Sequence, residues 1–123
     1  MIMDKMRFGS FVWPENPETY EEICTREPRY AKNDAGETEY AGLSQVRRTM
    51  KGSGAFTGSG AYASFKTLSA MVNQTEAAKL IHPVWGERNA YLVEIQSAMQ
   101  PREDYVAYSF TFLEANSSGE IPQ

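Results

Sequence analysis

The run Asp104-Tyr105-Val106-Ala107-Tyr108-Ser109-Phe110-Thr111-Phe112-Leu113-Glu114 constrains this chain more than any other stretch of it. Successive side chains of a strand point to opposite faces. One face therefore collects Val106, Tyr108, Phe110 and Phe112, and the other Tyr105, Ala107, Ser109, Thr111 and Leu113. Large rings opposite small or polar residues are what a half-buried strand requires, whereas a helix would scatter the same rings around its axis. The run before it, Tyr91 to Met99, alternates in the same way, with Tyr91, Val93, Ile95 and Met99 inward and Glu94 and Gln96 outward. Pro101-Arg102-Glu103-Asp104 reads as the turn of an antiparallel hairpin. The fold must contain a sheet built around this pair.

Further extended segments precede it. Met6 to Trp13 places Met6, Phe8 and Val12 on one side and Phe11 and Trp13 on the other, and Pro14-Glu15-Asn16-Pro17 stops it. Tyr20 to Thr25 is a second strand, with Tyr20 and Ile23 or Cys24 inward and Cys24 read as a small, buried or half-buried residue. Residues 26–42 are rich in charge, Asn, Asp and Gly; they predict a long polar hairpin or mobile loop, with Tyr30 and Tyr40 as strand anchors. Val46 to Gly58 is extended again, and Gly52 and Gly54 mark either a bulge or a close backbone approach. Arg47, Arg48 and Lys51 form a basic cluster there, either solvated or facing an acidic neighbour.

At Ser59 the period changes. Ala61, Phe65, Leu68 and Val72 recur at helical spacing, predicting one helix over 61–73, capped near Ser59 or a neighbouring Gly and ended by Asn73. Ala78 to Trp85 is a short strand, followed by a turn at Trp85-Gly86-Glu87-Arg88-Asn89. Strands, one helix, then strands make the class mostly β (α+β): a small antiparallel β-barrel or split sandwich with one flanking helix.

The chemistry available is sparse. With 123 residues there is room for one domain, 1–123. A formal charge of −4 argues against direct nucleic-acid binding. The single Cys24 excludes an intrachain disulfide, and one Cys with one His falls short of a structural zinc set. No apolar run approaches a transmembrane span of about 18 residues, and the N-terminus lacks the apolar block of a signal peptide. The glycine pairs at 52–54 and 58–60 carry neither a P-loop nor a dinucleotide fingerprint. Glu21-Glu22 and Glu103-Asp104 are adjacent and so point to opposite strand faces. His82 reads as a satisfied structural histidine. No catalytic, cofactor-binding or metal-ligating residue is nominated, and the chain is expected to fold in the cytoplasm.

From Tyr40 to Ala115 the elements come in a characteristic order. Arg47-Arg48 lies in a strand, then come Gly52-x-Gly54-x-Phe56-x-Gly58 and a helix with Phe65 and Leu68. Leu80-Ile81-His82-Pro83 with Gly86, the strand Tyr91–Gln96, and Tyr108-Ser109-Phe110-Thr111-Phe112-Leu113-Glu114-Ala115 follow. This order resembles bacteriophage tail and baseplate proteins, in particular the N-terminal domain of the DNA-circularisation family of Mu-like phages and related distal-tail and baseplate-hub domains. Residues 14–42 match no part of that pattern. The resemblance implies a tail-tube-like domain without catalysis that forms rings with itself and joins other tail or baseplate proteins. It also implies assembly in the host cytoplasm before incorporation into a virion tail, a prophage product or a tailocin. Residues 26–42 would be an arm that orders on assembly, and 116–123 a flexible tail.

A ring subunit also accounts for the composition. Six Phe, two Trp and seven Tyr exceed what so small a core readily buries, and interface cores are enriched in aromatics. The interface candidates are Trp13, Tyr30, Tyr40, Trp85 and the basic Arg47, Arg48 and Lys51. Two rival readings stand beside this one. The first is a non-catalytic β-barrel module that binds a peptide or sugar through its aromatics. The second is a small β-barrel enzyme using His82 with Glu94 or Glu114.

Overall fold

The computed structural model describes residues 4–97, 102, 104–116 and 120–122. Among them the chain is mostly β. The strands are β1 (Arg7–Phe8), β2 (Phe11–Val12), β3 (Thr19–Thr25), β4 (Pro28–Lys32), β5 (Thr38–Leu43), β6 (Arg47–Thr57), β7 (Ala78–His82), β8 (Gly86–Gln96) and β9 (Tyr105–Glu114). One helix, α1 (Ala61–Ala70), lies between β6 and β7. Seven strands form an antiparallel sheet in the order β2-β1-β7-β8-β9-β6-β3, and β4 and β5 pair only with each other.

Of the two forms expected, a β-barrel or a split sandwich, the closed barrel is not formed. β2 and β3 are the two edges of the large sheet, with no hydrogen-bonded ladder between them among the described residues. The sheet nevertheless curls strongly. In a flat sheet β3 and β7 would stand about 19 Å apart, four inter-strand spacings. Instead the rings of Tyr20 on β3 and His82 on β7 stack at 4.4 Å. Residues 13–18 cross the gap between the edges. The Trp13 indole fills it from inside, fully buried, and its Nε1 donates to the Tyr108 hydroxyl at 3.1 Å.

The core is the concave face of this curl. Val106, Tyr108, Phe110 and Phe112 are all buried, as the alternation predicted. Phe8 meets Phe112 edge-on at 4.6 Å, Phe11 meets Trp13 at 4.9 Å, and Phe56 stacks on Tyr108 at 4.5 Å. Seven of the fifteen aromatic rings are buried, three of them supplied by the N-terminal segment that folds over the core. That segment is not one strand: β1 and β2 are a hairpin turned through Gly9 and Ser10, with Phe8 opposite Phe11. Gly9 has φ +58°, a left-handed conformation that a glycine adopts without strain. The turn resets the alternation, so Met6, Phe8, Phe11 and Trp13 all face inward and Val12 faces out.

A second phase change occurs in β8. Leu92 pairs with Phe112 but Glu94 pairs with Thr111, so Val93 is the extra residue of a bulge. Leu92 is buried, Ile95 packs against the core and Val93 is exposed, which corrects the inward assignment of Val93. Met99, Pro101 and Glu103 lie outside the described residues. Gly52 is a close approach rather than a bulge: a Cβ there would sit 2.5 Å from both the Phe110 ring and the Thr19 carbonyl oxygen.

The helix joins the core through Ala61, Phe65 and Leu68. Its last turn, Met71–Asn73, tightens to a 3-10 turn. At three residues per turn the stripe rotates off its line. Met71 then packs inward, and Val72 is exposed where the helical spacing placed it inside. Gln74 next acts as a one-residue strand: the Leu92 amide donates to its Oε1, and its Nε2 donates to the Ala90 carbonyl.

Candidate assembly surface

β3 and β6 are neighbours in the sheet, with Thr25 opposite Arg47. Residues 26–46 are therefore the connection of one long hairpin, and they leave the body as a two-stranded ribbon. At its base the Ser44 amide donates to the Glu27 carbonyl at 2.9 Å and the Glu27 amide donates to Ser44 Oγ at 2.9 Å. At its tip the Asn33 carboxamide oxygen accepts the amides of Ala35 and Glu37, both at 2.9 Å. Gly36, at φ +81°, supplies the left-handed residue that a three-residue hairpin loop requires. Residues 26–42 are thus a hairpin held by its own turn chemistry, one of the two forms expected.

Every residue of β4 is exposed, and so is nearly all of β5. A bulge opposite Arg29 and Tyr30 shifts the register, so that Tyr30 faces Tyr40 while Pro28 faces Leu43. The result is one apolar ribbon face of Pro28, Tyr30, Tyr40 and Leu43. Tyr30 and Tyr40 meet edge-on at 6.2 Å, and each is 63% exposed. A two-stranded hairpin with neither face covered is marginally stable in water by itself. This one presents its apolar side to solvent.

The basic cluster does not hold together on a strand. Arg47 and Lys51 share the outer face of β6, and Arg47 Nε donates to the Pro122 carbonyl at 3.4 Å. Arg48 turns to the concave side and forms a four-membered ionic cluster. Its Nη1 lies 2.9 Å from Glu114 and its Nε 3.7 Å from Glu22, while Arg88 reaches Glu22 at 3.5 Å and Glu114 at 3.4 Å. Two positive and two negative groups alternate, tying β3, β6, β8 and β9 together where the apolar core ends. Arg48 therefore meets the acidic neighbour that was one of its two expected roles. Cys24, read as buried or half-buried, is exposed on β3, and Arg48 Nε donates to its Sγ at 3.3 Å.

Beside this cluster, Tyr20 stacks on His82, and Trp85 approaches Tyr20 at 5.8 Å. The Tyr20 hydroxyl donates to Glu22, and burial, reinforced by the Glu22 charge, pushes its pKa up. His82 Nδ1 accepts the amides of Val84 at 3.0 Å and Trp85 at 3.2 Å, so this nitrogen carries no proton. Burial lowers the His82 pKa, partly opposed by Glu22. Trp85 is half exposed on this turn, and Val84 beside it is 83% exposed.

Of the interface candidates, Tyr30, Tyr40, Arg47, Lys51 and Trp85 are exposed, with the tyrosines on the ribbon and Trp85 at the far hairpin turn. Arg48 is engaged within the body. Trp13 is corrected: it is wholly inside the core, because the β1–β2 turn reverses its direction. Leu43 was missed, since only the bulge in β5 brings it beside Tyr40. Val12 and Val84 were missed too; an unrecognised Gly-Ser turn hid the first, and the second is one valine in a turn.

The model of the family described as DNA circularisation protein N-terminus matches residues 21–90. More than half of the chain is covered, and the chain belongs to this family. The match begins in β3 and takes in the whole ribbon, most of which the sequence resemblance, starting at Tyr40, left out. Among solved structures, the fold is similar to a chain in the virion of a native gene transfer agent particle. The TM-score is 0.50 at 14% identity, over 82% of this chain and 81% of that one. A chain in the tail of an empty gene transfer agent particle of C6 symmetry gives a TM-score of 0.49 at 13% identity, over 95% and 82%. No curated protein matches the sequence.

Proposed function

We propose that the chain is a structural subunit of a bacteriophage tail or of a tail-derived particle, such as a prophage product or tailocin. In this reading it assembles with copies of itself into a ring and with other tail or baseplate proteins, in the host cytoplasm and then in the particle. The observation that carries the reading is the ribbon. Its apolar face has no partner among the described residues, while the body's core takes no side chain from it. Family membership supports the reading, and the fold shared with a chain of a gene transfer agent virion agrees with it. A heterologous contact of this kind repeats from copy to copy and closes into a ring when the rotation allows.

A catalytic role for His82 draws no support from the geometry. Its Nδ1 is engaged by two backbone amides, Glu114 is held by two arginines, and Glu94 is an exposed residue beside the β8 bulge. The test is to replace residues 26–46 by Asn-Gly, a two-residue hairpin turn joining Thr25 to Arg47. The shortened chain should fold and remain monomeric at concentrations where the full chain associates. Undiminished association would refute the ribbon's role.

A further inference from the structure

We propose that the ribbon of one copy docks into a groove on the outer face of β1, β2 and β7 of a second copy; this rests on the assembly reading above. The groove, about 290 Å³, is lined by Asp4, Lys5, Arg7, Val12, Ile81 and Pro83. The register explains its composition. Arg7 lies opposite Val12 on one side and Ile81 on the other, so these three project together, away from the core face that carries Phe8 and Leu80. Val12 is 48% exposed on an edge strand, a large apolar side chain in a place where a folded chain gains nothing by it. Val12, Ile81 and Pro83 make an apolar floor, and Lys5 and Arg7 a basic rim against the single Asp4. Glu87, which faces Ile81 across the ladder, is already paired with Lys79 at 3.0 Å.

The ribbon has the complementary pattern. Its apolar face of Tyr30, Tyr40 and Leu43 fits the floor. Its distal loop carries Asp34 and Glu37, acidic groups to set against the rim, while Lys32 shares the Tyr30 face and Glu39, opposite Ala31, lies on the other. None of the ribbon's residues lines the groove of its own chain. The complementary face belongs to the ribbon of a second copy, and the contact is head-to-tail. Apolar matching supplies burial, and the opposed charges set the register and hasten encounter.

Sedimentation velocity of two variants, alone and mixed, tests the proposal. Val12→Asp spoils the groove and leaves the ribbon; Tyr30→Ser with Tyr40→Ser spoils the ribbon and leaves the groove. Each alone should associate at least tenfold more weakly than the unaltered chain. Their mixture should form a one-to-one complex that grows no further, since each supplies the half the other lacks. A charge pair guards against misfolding: Arg7→Glu should weaken association, and adding Asp34→Lys with Glu37→Lys should restore it. If Val12→Asp and Arg7→Glu associate as the unaltered chain does while the tyrosine variant does not, the groove is wrong and the ribbon's role stands. If the tyrosine variant also associates normally, or the unaltered chain stays monomeric at its solubility limit, both fall.

Discussion

At the scale of the residue, His82 shows how one side chain can make a turn depend on acidity. Its Nδ1 accepts two amides of the Val84-Trp85 turn, so a second proton on the ring removes both bonds. Burial already holds its pKa below the ordinary value. As pH falls below about 6.5, the unfolded chain takes up the proton first. The stability held by the neutral ring is thus fully present above that pH and is lost as pH falls toward the folded pKa. Urea midpoints measured downward from neutral should decline in this window, and His82→Phe should flatten that part of the profile. An unchanged slope would show that the ring does not sense the proton. Leu68 behaves more simply. It is fully buried among the core residues, and Leu68→Ala should cost about 2–5 kcal/mol in chemical denaturation. A change under about half a kcal/mol would mean that the helix does not depend on its buried stripe.

At the scale of the element, the ribbon and the body should be separable. The ribbon contributes no side chain to the core, and Thr25 and Arg47 at its base are already cross-strand partners. Joining them through Asn-Gly should leave the circular dichroism spectrum β-rich and shift stability by about 1 kcal/mol or less, since surface changes away from buried features are small. A molten or insoluble product would show that the body depends on its ribbon.

The same scale explains what could be read from the residues. β9 was legible because one face is all rings and branched chains while the other is mostly small and polar. The helix was legible for its apolar stripe, and Gly52 for its place inside a strand. The turn at Gly9-Ser10, the bulge at Val93 and the bulge in β5 were not. Each inserts or reverses one step, and a period-2 pattern cannot reveal where its own phase slips. The misplacements of Trp13 and Val93 and the omission of Leu43 come from such slips. Cys24 is different: it lies on the core side of β3, but beyond the end of the apolar core, beside the Glu22, Arg48, Arg88 and Glu114 cluster. That cluster joins residues far apart in the chain, and no local pattern announces it.

At the scale of the molecule, a chain with one histidine, one cysteine and a closely filled aromatic core offers little for chemistry and much for contact. The curled sheet supplies a rigid body, and the ionic cluster pins its edge where the core ends. The ribbon carries an apolar face outward, with the family match running through it. Quantitative mass spectrometry of tail particles purified from the cells that encode this chain tests the assembly role most directly. The full chain should be present in several copies per particle at a fixed ratio to the other tail proteins, and the form with residues 26–46 replaced by Asn-Gly should be missing from particles. A chain found only in the soluble fraction, or a ribbon-less form incorporated at the same ratio, would contradict it.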